Sequence, residues 1–488
     1  MRPLRNVTLS SLGLITVCAC SGAPRTSEAV LQRIERVENG VLPAVVVRGE
    51  QLPRTTIREV MERYHVPGVS VAVINDGRLE WAKGYGVRQV GRDPVDTETL
   101  FLAGHIGQGV AAIAALKLVE DGLIDFDQNV NDRLASWHVP DNDLTTTEKV
   151  TLRRILSHTS GLSVPTMRGY PTGEVLPTME QILDGIPPAT NQPIRVLHTP
   201  GSRQRYSLGG YVVLQQLVED ITQSPYADFV HNTVLSPLGM RRSFHSQPLT
   251  EALAANAASG YESTNEPVPG RWRIYPELAA LGMWTTPSDL ARLALELQRS
   301  FSGESNRVIS QTSVEEMLSQ QFENRGLGFE VGGEGEWRFF RLEGHGNNYL
   351  SELFAYVSQD MGAVVMTNSS HGEGAKAQIL RAIAVEYGWP DLQPEEVEVA
   401  QLSNDILEEL EGRYSFRGRD RFLVVEQGRI LQRSEGDREE ELLPLSQDLL
   451  VSVSFGYRYA VDRNAVGSIT GLTLILQGTR LFTYERVD

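Results

Sequence analysis

From Gly109 to Asp121 the chain runs through Val110, Ala111, Ala112, Ile113, Ala114, Ala115, Leu116, Leu118 and Val119, with few charges until the end. Alanine and leucine favour a helix, and a helix that is apolar on most faces has to be covered on every side. This run therefore specifies a helix in the middle of a sizeable domain, ended by Gly122 as a left-handed C′ residue. A chain of 488 residues is long enough to supply that cover and a second, smaller unit.

Other elements follow from pattern. Val66 to Ile74 is a β-branched run, Asn75-Asp76-Gly77 offers a turn, and Leu79 to Tyr85 returns as a second strand. Leu152 to Leu156, Tyr211 to Ile221 and Pro287 to Leu297 carry a helical apolar period, the last with Ser288-Asp289 as its capping region. Leu353 to Val357 and Ala363 to Thr367 read as core strands. After about residue 400 the character changes to short alternating runs such as Phe422 to Val425, Leu449 to Val453, Leu472 to Leu476 and Leu481 to Tyr484. Hairpin connections at Glu426 to Gly428 and Gln477 to Thr479 separate some of them, which predicts a small antiparallel barrel or sandwich.

Charge excludes one function class. The formal net charge is −17, with the acidic residues dispersed, so nucleic-acid binding is not expected. The only cysteines are Cys18 and Cys20, which leaves the body of the chain without a disulfide or a thiolate metal site. They end a segment with Arg2 and Arg5 followed by an apolar stretch from Val7 to Val17. This reads as a lipoprotein signal over residues 1–19 with acylation of Cys20, or else as an ordinary cleaved secretory signal. The expected location is extracytoplasmic at a bacterial cell envelope, lipid-anchored or secreted.

Several segments in order carry a family resemblance. They are Val66 to Val73 with Asp76-Gly77, Phe101 to Gln108 before the apolar helix, and Thr151 to Leu162. Pro200-Gly201 with Tyr206 to Tyr211, Ser236 to Met240, Trp284 to Leu290, and Gly344 to Asn347 with Val364 to Asn368 continue the series. In this order they resemble the serine β-lactamase and penicillin-binding-protein family, in its class C-related branch. The resemblance implies an α/β (more strictly α+β) fold: an antiparallel sheet flanked by helices, plus an all-helical subdomain, over residues 55–400. The barrel-like unit would follow at 405–488, with residues 20–54 as tether and lead-in.

The family chemistry needs a serine at a helix start and a lysine three residues on, on the same face. The resemblance puts His105 at the serine position and Gln108 at the lysine position. No Ser-x-x-Lys exists in the mature sequence, and Thr146 to Lys149, which has the spacing with threonine, lies in a loop. The second motif keeps its tyrosine as Tyr206 but has Leu208 in place of an asparagine; the third reads His345-Gly346-Asn347, with Asn347 where a glycine is usual. His158, in the best-matching segment, is expected to be structural.

Two readings follow. In the first, acyl transfer is lost and the cleft, with Gln108, Leu208, Gly346 and Asn347 as binding positions, serves a ligand-binding or scaffolding pseudoenzyme. Its partner would be a cell-wall peptide, a small amide or ester, or an envelope protein. In the second, His105, Tyr206 and His345 converge and perform non-covalent acid–base chemistry. Two histidines without an evident third ligand make a poor metal site, and no cofactor is expected.

Overall fold

The computed structural model describes residues 27–262, 266–434, 438–476 and 478–487. The signal segment with Cys18 and Cys20 lies outside them, as does Gln477 of one expected hairpin turn.

The chain begins with α1 (Glu28–Glu38), the short strand β1 (Val45–Val47) and α2 (Ile57–Arg63). A capping box starts α2, Thr56 accepting from the Glu59 N–H while the Glu59 carboxylate accepts from the Thr56 N–H. Strands β2 (Gly68–Asn75) and β3 (Arg78–Gly86) form the expected hairpin. Its turn residues Asp76 and Gly77 have φ of 51° and 66°, the left-handed pair that matches strand twist. Then come β4 (Phe101–Leu102) and α3 (Gly107–Glu120), the predicted central helix. The helical part continues with α4 (Leu152–Leu156), α5 (Met179–Asp184), α6 (Leu208–Thr222), α7 (Tyr226–Val230) and α8 (Glu251–Ala254).

Strand β5 (Trp284–Thr285) pairs with β4 and leads into α9 (Pro287–Phe301) and α10 (Gln311–Met317). The cap of α9 is Thr286, accepting from the Asp289 N–H, two residues before the expected Ser288. Pro287, which has no N–H to satisfy, fits the first helical position and shifts the start forward. Strands β6 (Glu330–Gly332), β7 (Phe339–Gly346), β8 (Tyr349–Tyr356) and β9 (Gly362–Thr367) complete a six-stranded antiparallel sheet in the order β3-β2-β9-β8-β7-β6. Helix α11 (Glu373–Glu386) and β10 (Glu395–Val397), which pairs with β1 in parallel, close this domain.

Both sheet faces are covered, so β2 and β8 are buried along their whole length. Val69, Val71 and Val73 face α1, α2 and α11, whereas Ala72 and Ile74 face the core built around α3. The lead-in is thus not a tether from residue 28 onward: Val30, Ile34 and Val37 form an apolar stripe on α1 that packs on the outer core. Their spacing of four and three is the helical period, too short a run to stand out from a polar helix.

After α12 (Asn404–Leu410), eight strands close in sequence order into a barrel. They are β11 (Gly412–Phe416), β12 (Arg419–Glu426), β13 (Arg429–Ser434), β14 (Arg438–Ser446), β15 (Leu449–Ser452), β16 (Arg458–Arg463), β17 (Ile469–Leu476) and β18 (Thr479–Arg486). Leu410, Tyr414, Leu423, Ile430, Leu442, Leu450 and Leu472 fill its interior. The barrel docks on the β1–β10 ribbon: the Val45 N–H donates to the Val453 carbonyl (3.0 Å), and Val451 joins Ala44, Val45 and Val397 in a small apolar cluster.

Helix α3 lies close to β7 because of Gly109, where a Cβ would stand 2.5 Å from Leu342 Cδ1 and 2.8 Å from Phe329 Cζ. Gly109→Ala should gain up to ~1 kcal/mol of helix propensity. It should lose about 1–3 kcal/mol to overpacking. A lower urea midpoint than wild type is therefore expected.

Candidate active-site cleft

A single turn of 3₁₀ helix, Gly104–Ile106, precedes α3 and carries His105. Gly104 has φ of 57°, and a Cβ there would lie 2.7 Å from the backbone of His345 and Gly346. The helix start is thus pressed backbone to backbone against the end of β7. Because both chains are this close, the rings of His105 and His345 lie 5.7 Å apart, centroid to centroid.

One helical turn along, on the same face, Gln108 Nε2 donates to Tyr206 Oη at 2.8 Å. Tyr206 lies 5.2 Å from the His105 ring and 4.3 Å from that of His158, tilted at 37° to it, and His158 also lies 5.3 Å from Tyr211. His158 is buried, and its Nδ1 accepts from the Ser207 N–H at 3.4 Å. Ser207 in turn caps α6 and donates to the Ser163 carbonyl at 2.6 Å. The expected structural histidine is therefore the platform on which Tyr206 rests.

These side chains line a cleft of about 230 Å³ with Arg325, Gly328, Glu330, Arg341, Leu342 and Glu343. Glu330 sits 2.7 Å from both Arg325 and Arg341, and Glu343 Oε2 is 3.7 Å from His345 Nε2. Burial holds the His105 imidazole down at about 3, helped by the nearby His345 and Arg325, so it is neutral at neutral pH. Burial also raises the Tyr206 phenol well above its ordinary value, against the opposing hydrogen bond from Gln108. Glu343 is held down at about 2, chiefly by its bond with His345 and then by Lys376 and Arg341.

The structure thus brings together His105, Gln108, Tyr206 and His345. Three other expected binding positions lie elsewhere. Leu208 is the first residue of α6 and points into the core. Gly346 is covered by Gly104 and Leu102. Asn347 does not narrow the cleft: its Nδ2 donates to the Arg168 carbonyl (2.6 Å) and to Tyr275 Oη (2.8 Å), away from the lining residues. Sequence reasoning missed the charged wall. Arg341, Glu343 and His345 alternate along β7 and share one face, a signal that was available. Arg325 and Gly328 come from a loop and carry none. Among the described residues, no group of three histidine, cysteine, aspartate or glutamate side chains is gathered as for a metal.

The family model for Beta-lactamase matches residues 54–386. The chain is 28% identical over 247 residues to an unguisins hydrolase of Aspergillus campestris, covering 46% of this chain and 42% of that one. It is 28% identical over 263 residues to penicillin-binding protein 4 of Amycolatopsis lactamdurans (53% and 66%) and 26% identical over 239 to protein Flp of Staphylococcus aureus (48% and 44%). The chain therefore spans less than two thirds of the length of each of these relatives. Among solved structures, the octameric penicillin-binding protein homologue from Pyrococcus abyssi superposes with a TM-score of 0.60 at 24% identity, over 86% of this chain and 95% of that one. The D-amino acid amidase of Ochrobactrum anthropi gives 0.54 at 21%, over 68% and 98%. Both likenesses concern the fold.

The neutral state of His105 predicts a pH signature. A group whose pKa falls from ~6.5 unfolded to about 3 folded contributes stability that is complete above ~6.5 and lost as pH falls toward 3. His105→Phe keeps a ring and removes that group. On moving from pH 7 to pH 5, the urea stability of His105→Phe should improve relative to wild type.

Proposed function

We propose, from the premise that the chain belongs to the Beta-lactamase family, that its cleft binds a small ligand without forming an acyl-enzyme. The observation that carries this reading is the 2.8 Å hydrogen bond from Gln108 to Tyr206. The family pattern needs a lysine there, a group that can pass a proton; an amide has no proton-accepting role near neutral pH. A neutral donor also does little to favour phenolate, and burial already opposes it. His105 is neutral but several units too weak a base to work well at pH 7, where efficient general bases have pKa values near the operating pH. The acid–base reading is therefore less well supported than binding. Loss of the nucleophile alone costs on the order of a millionfold in a serine hydrolase.

The cleft offers two imidazoles, a phenol, an amide and two ion-paired guanidinium groups in about 230 Å³. That is somewhat below the ~300–1,000 Å³ of drug-sized pockets. It suits the end of a peptide, or a small amide or ester. The names of the relatives, a hydrolase and a penicillin-binding protein, fit a ligand of that class.

Intact-mass analysis after exposure to a fluorophosphonate and to a panel of β-lactams should show no adduct on wild type. The double variant His105→Ser/Gln108→Lys should gain one. Stoichiometric labelling of wild type would sink the reading. A ligand that does bind should raise the melting temperature, reflecting ~2.7 kcal/mol at a hundredfold excess over Kd.

The same reading places the protein at the cell envelope, anchored through Cys20. The support is the positive–apolar–cysteine order of residues 2–20. Metabolic labelling with radioactive palmitate should mark the wild type and not Cys20→Ser, which should leave the membrane fraction. Equal labelling of both would overturn the anchor.

A further inference from the structure

The C-terminal barrel reaches the cleft by a continuous set of contacts. Between β15 and β16, Phe455 stacks on Tyr457 at 5.4 Å and meets Tyr64, at the end of α2, edge-on at 6.3 Å. Tyr64 packs on α11: its ring fills the space of a side chain at Gly374, where a Cβ would stand 2.2 Å from Tyr64 Cζ. Its hydroxyl accepts from Gln378 Nε2 at 2.9 Å. Tyr64 thus grips the first turns of α11 at two points, and Lys376 lies between them.

Lys376 is fully buried, 3.4 Å from Glu352 and 3.1 Å from Glu373. Glu352 stands directly across from Glu343 in the β7–β8 register. Two carboxylates facing each other across strands repel, and a neighbouring cation relieves that repulsion. Arg341, 3.5 Å from Glu343 and 4.0 Å from Glu352, is the cation that reaches both, and Lys376 pairs with Glu352 from the α11 side. Glu343 can then stay ionised beside His345.

We propose that the barrel positions His345: its 453–457 hairpin, pressed on Tyr64, fixes the first turns of α11, and Lys376 there pairs with Glu352, the cross-strand neighbour of the Glu343 that faces the His345 ring. Phe455, Tyr64 and Lys376 are positioning residues, and the barrel supports the cleft without lining it. The proposal extends the reading of the cleft as the working site, but its test needs no ligand.

The full chain, labelled in its histidine rings, is compared by NMR at one pH as wild type, Phe455→Ala, Lys376→Met and the barrel-surface control Phe422→Ala. The His345 and His105 ring signals should move in the first two variants and stay in the control. The buried His245, which packs on Tyr226 and is not among the cleft-lining residues, should stay throughout. Unmoved His345 signals in Phe455→Ala would overturn the proposal, whatever Lys376→Met does, and so would an equal shift in the control. If Phe455→Ala fails to fold, Phe455→Leu, which shortens the contact and keeps its apolar character, decides the same question. Failure of ligand binding would leave these signals untouched, so the two readings fail separately.

Discussion

The cleft depends on one close approach, the contact of the α3 end of the chain with β7. Gly104 lets the backbone touch His345 and Gly346, and Gly109 lets the helix settle on Leu342 and Phe329. Packed interiors have little free volume, so side chains at either position would push the helix away by the thickness of a methyl group or more. With that separation His105 would no longer share a wall with His345, and Gln108 would not reach Tyr206. The helix itself is positioned by being apolar all round, which forces it between the sheet and the other helices.

Burial then sets the chemistry. Desolvation disfavours the charged forms of His105 and Tyr206, so each is held in its neutral form. The charges that remain are matched at short range: Glu330 serves two arginines, and Lys376 serves Glu352 and Glu373. A buried charge that lost its partner would cost several kcal/mol, about 3–5 for a broken buried pair. The wall of the cleft is consequently tied by ion pairs on both sides, Glu330 to the two arginines and Glu352 to Lys376 of α11.

Much of the fold was legible because it rests on local pattern. The hairpin at Asp76-Gly77 needs left-handed residues, and the sequence offers them. The alternating strands after residue 412 closed into a barrel, since eight short strands with one apolar face leave no edge when they do so. The packing of α1 within the expected tether and lead-in was not legible, because an isolated three-residue stripe on a charged helix says little until a surface is found to receive it. At the cleft, His105, Gln108, Tyr206 and His345 were found together by a motif order that spans more than 200 residues. Leu208 and Asn347 were placed by the same order, but a motif gives a position and not a direction. Leu208 turned inward with the first turn of α6, and Asn347 turned toward Tyr275.

The sequence by itself determined the residue types at the cleft and therefore what is absent from it: a hydroxyl and an amine at 105 and 108. Those are facts of covalent chemistry, and no folding can change them. Only the tertiary structure decided the charge state of His105, the platform role of His158 and the wall of Arg325, Glu330, Arg341 and Glu343. Each of these depends on groups far apart in the chain and on how much water is left between them. Distance and desolvation exist only once the chain has closed.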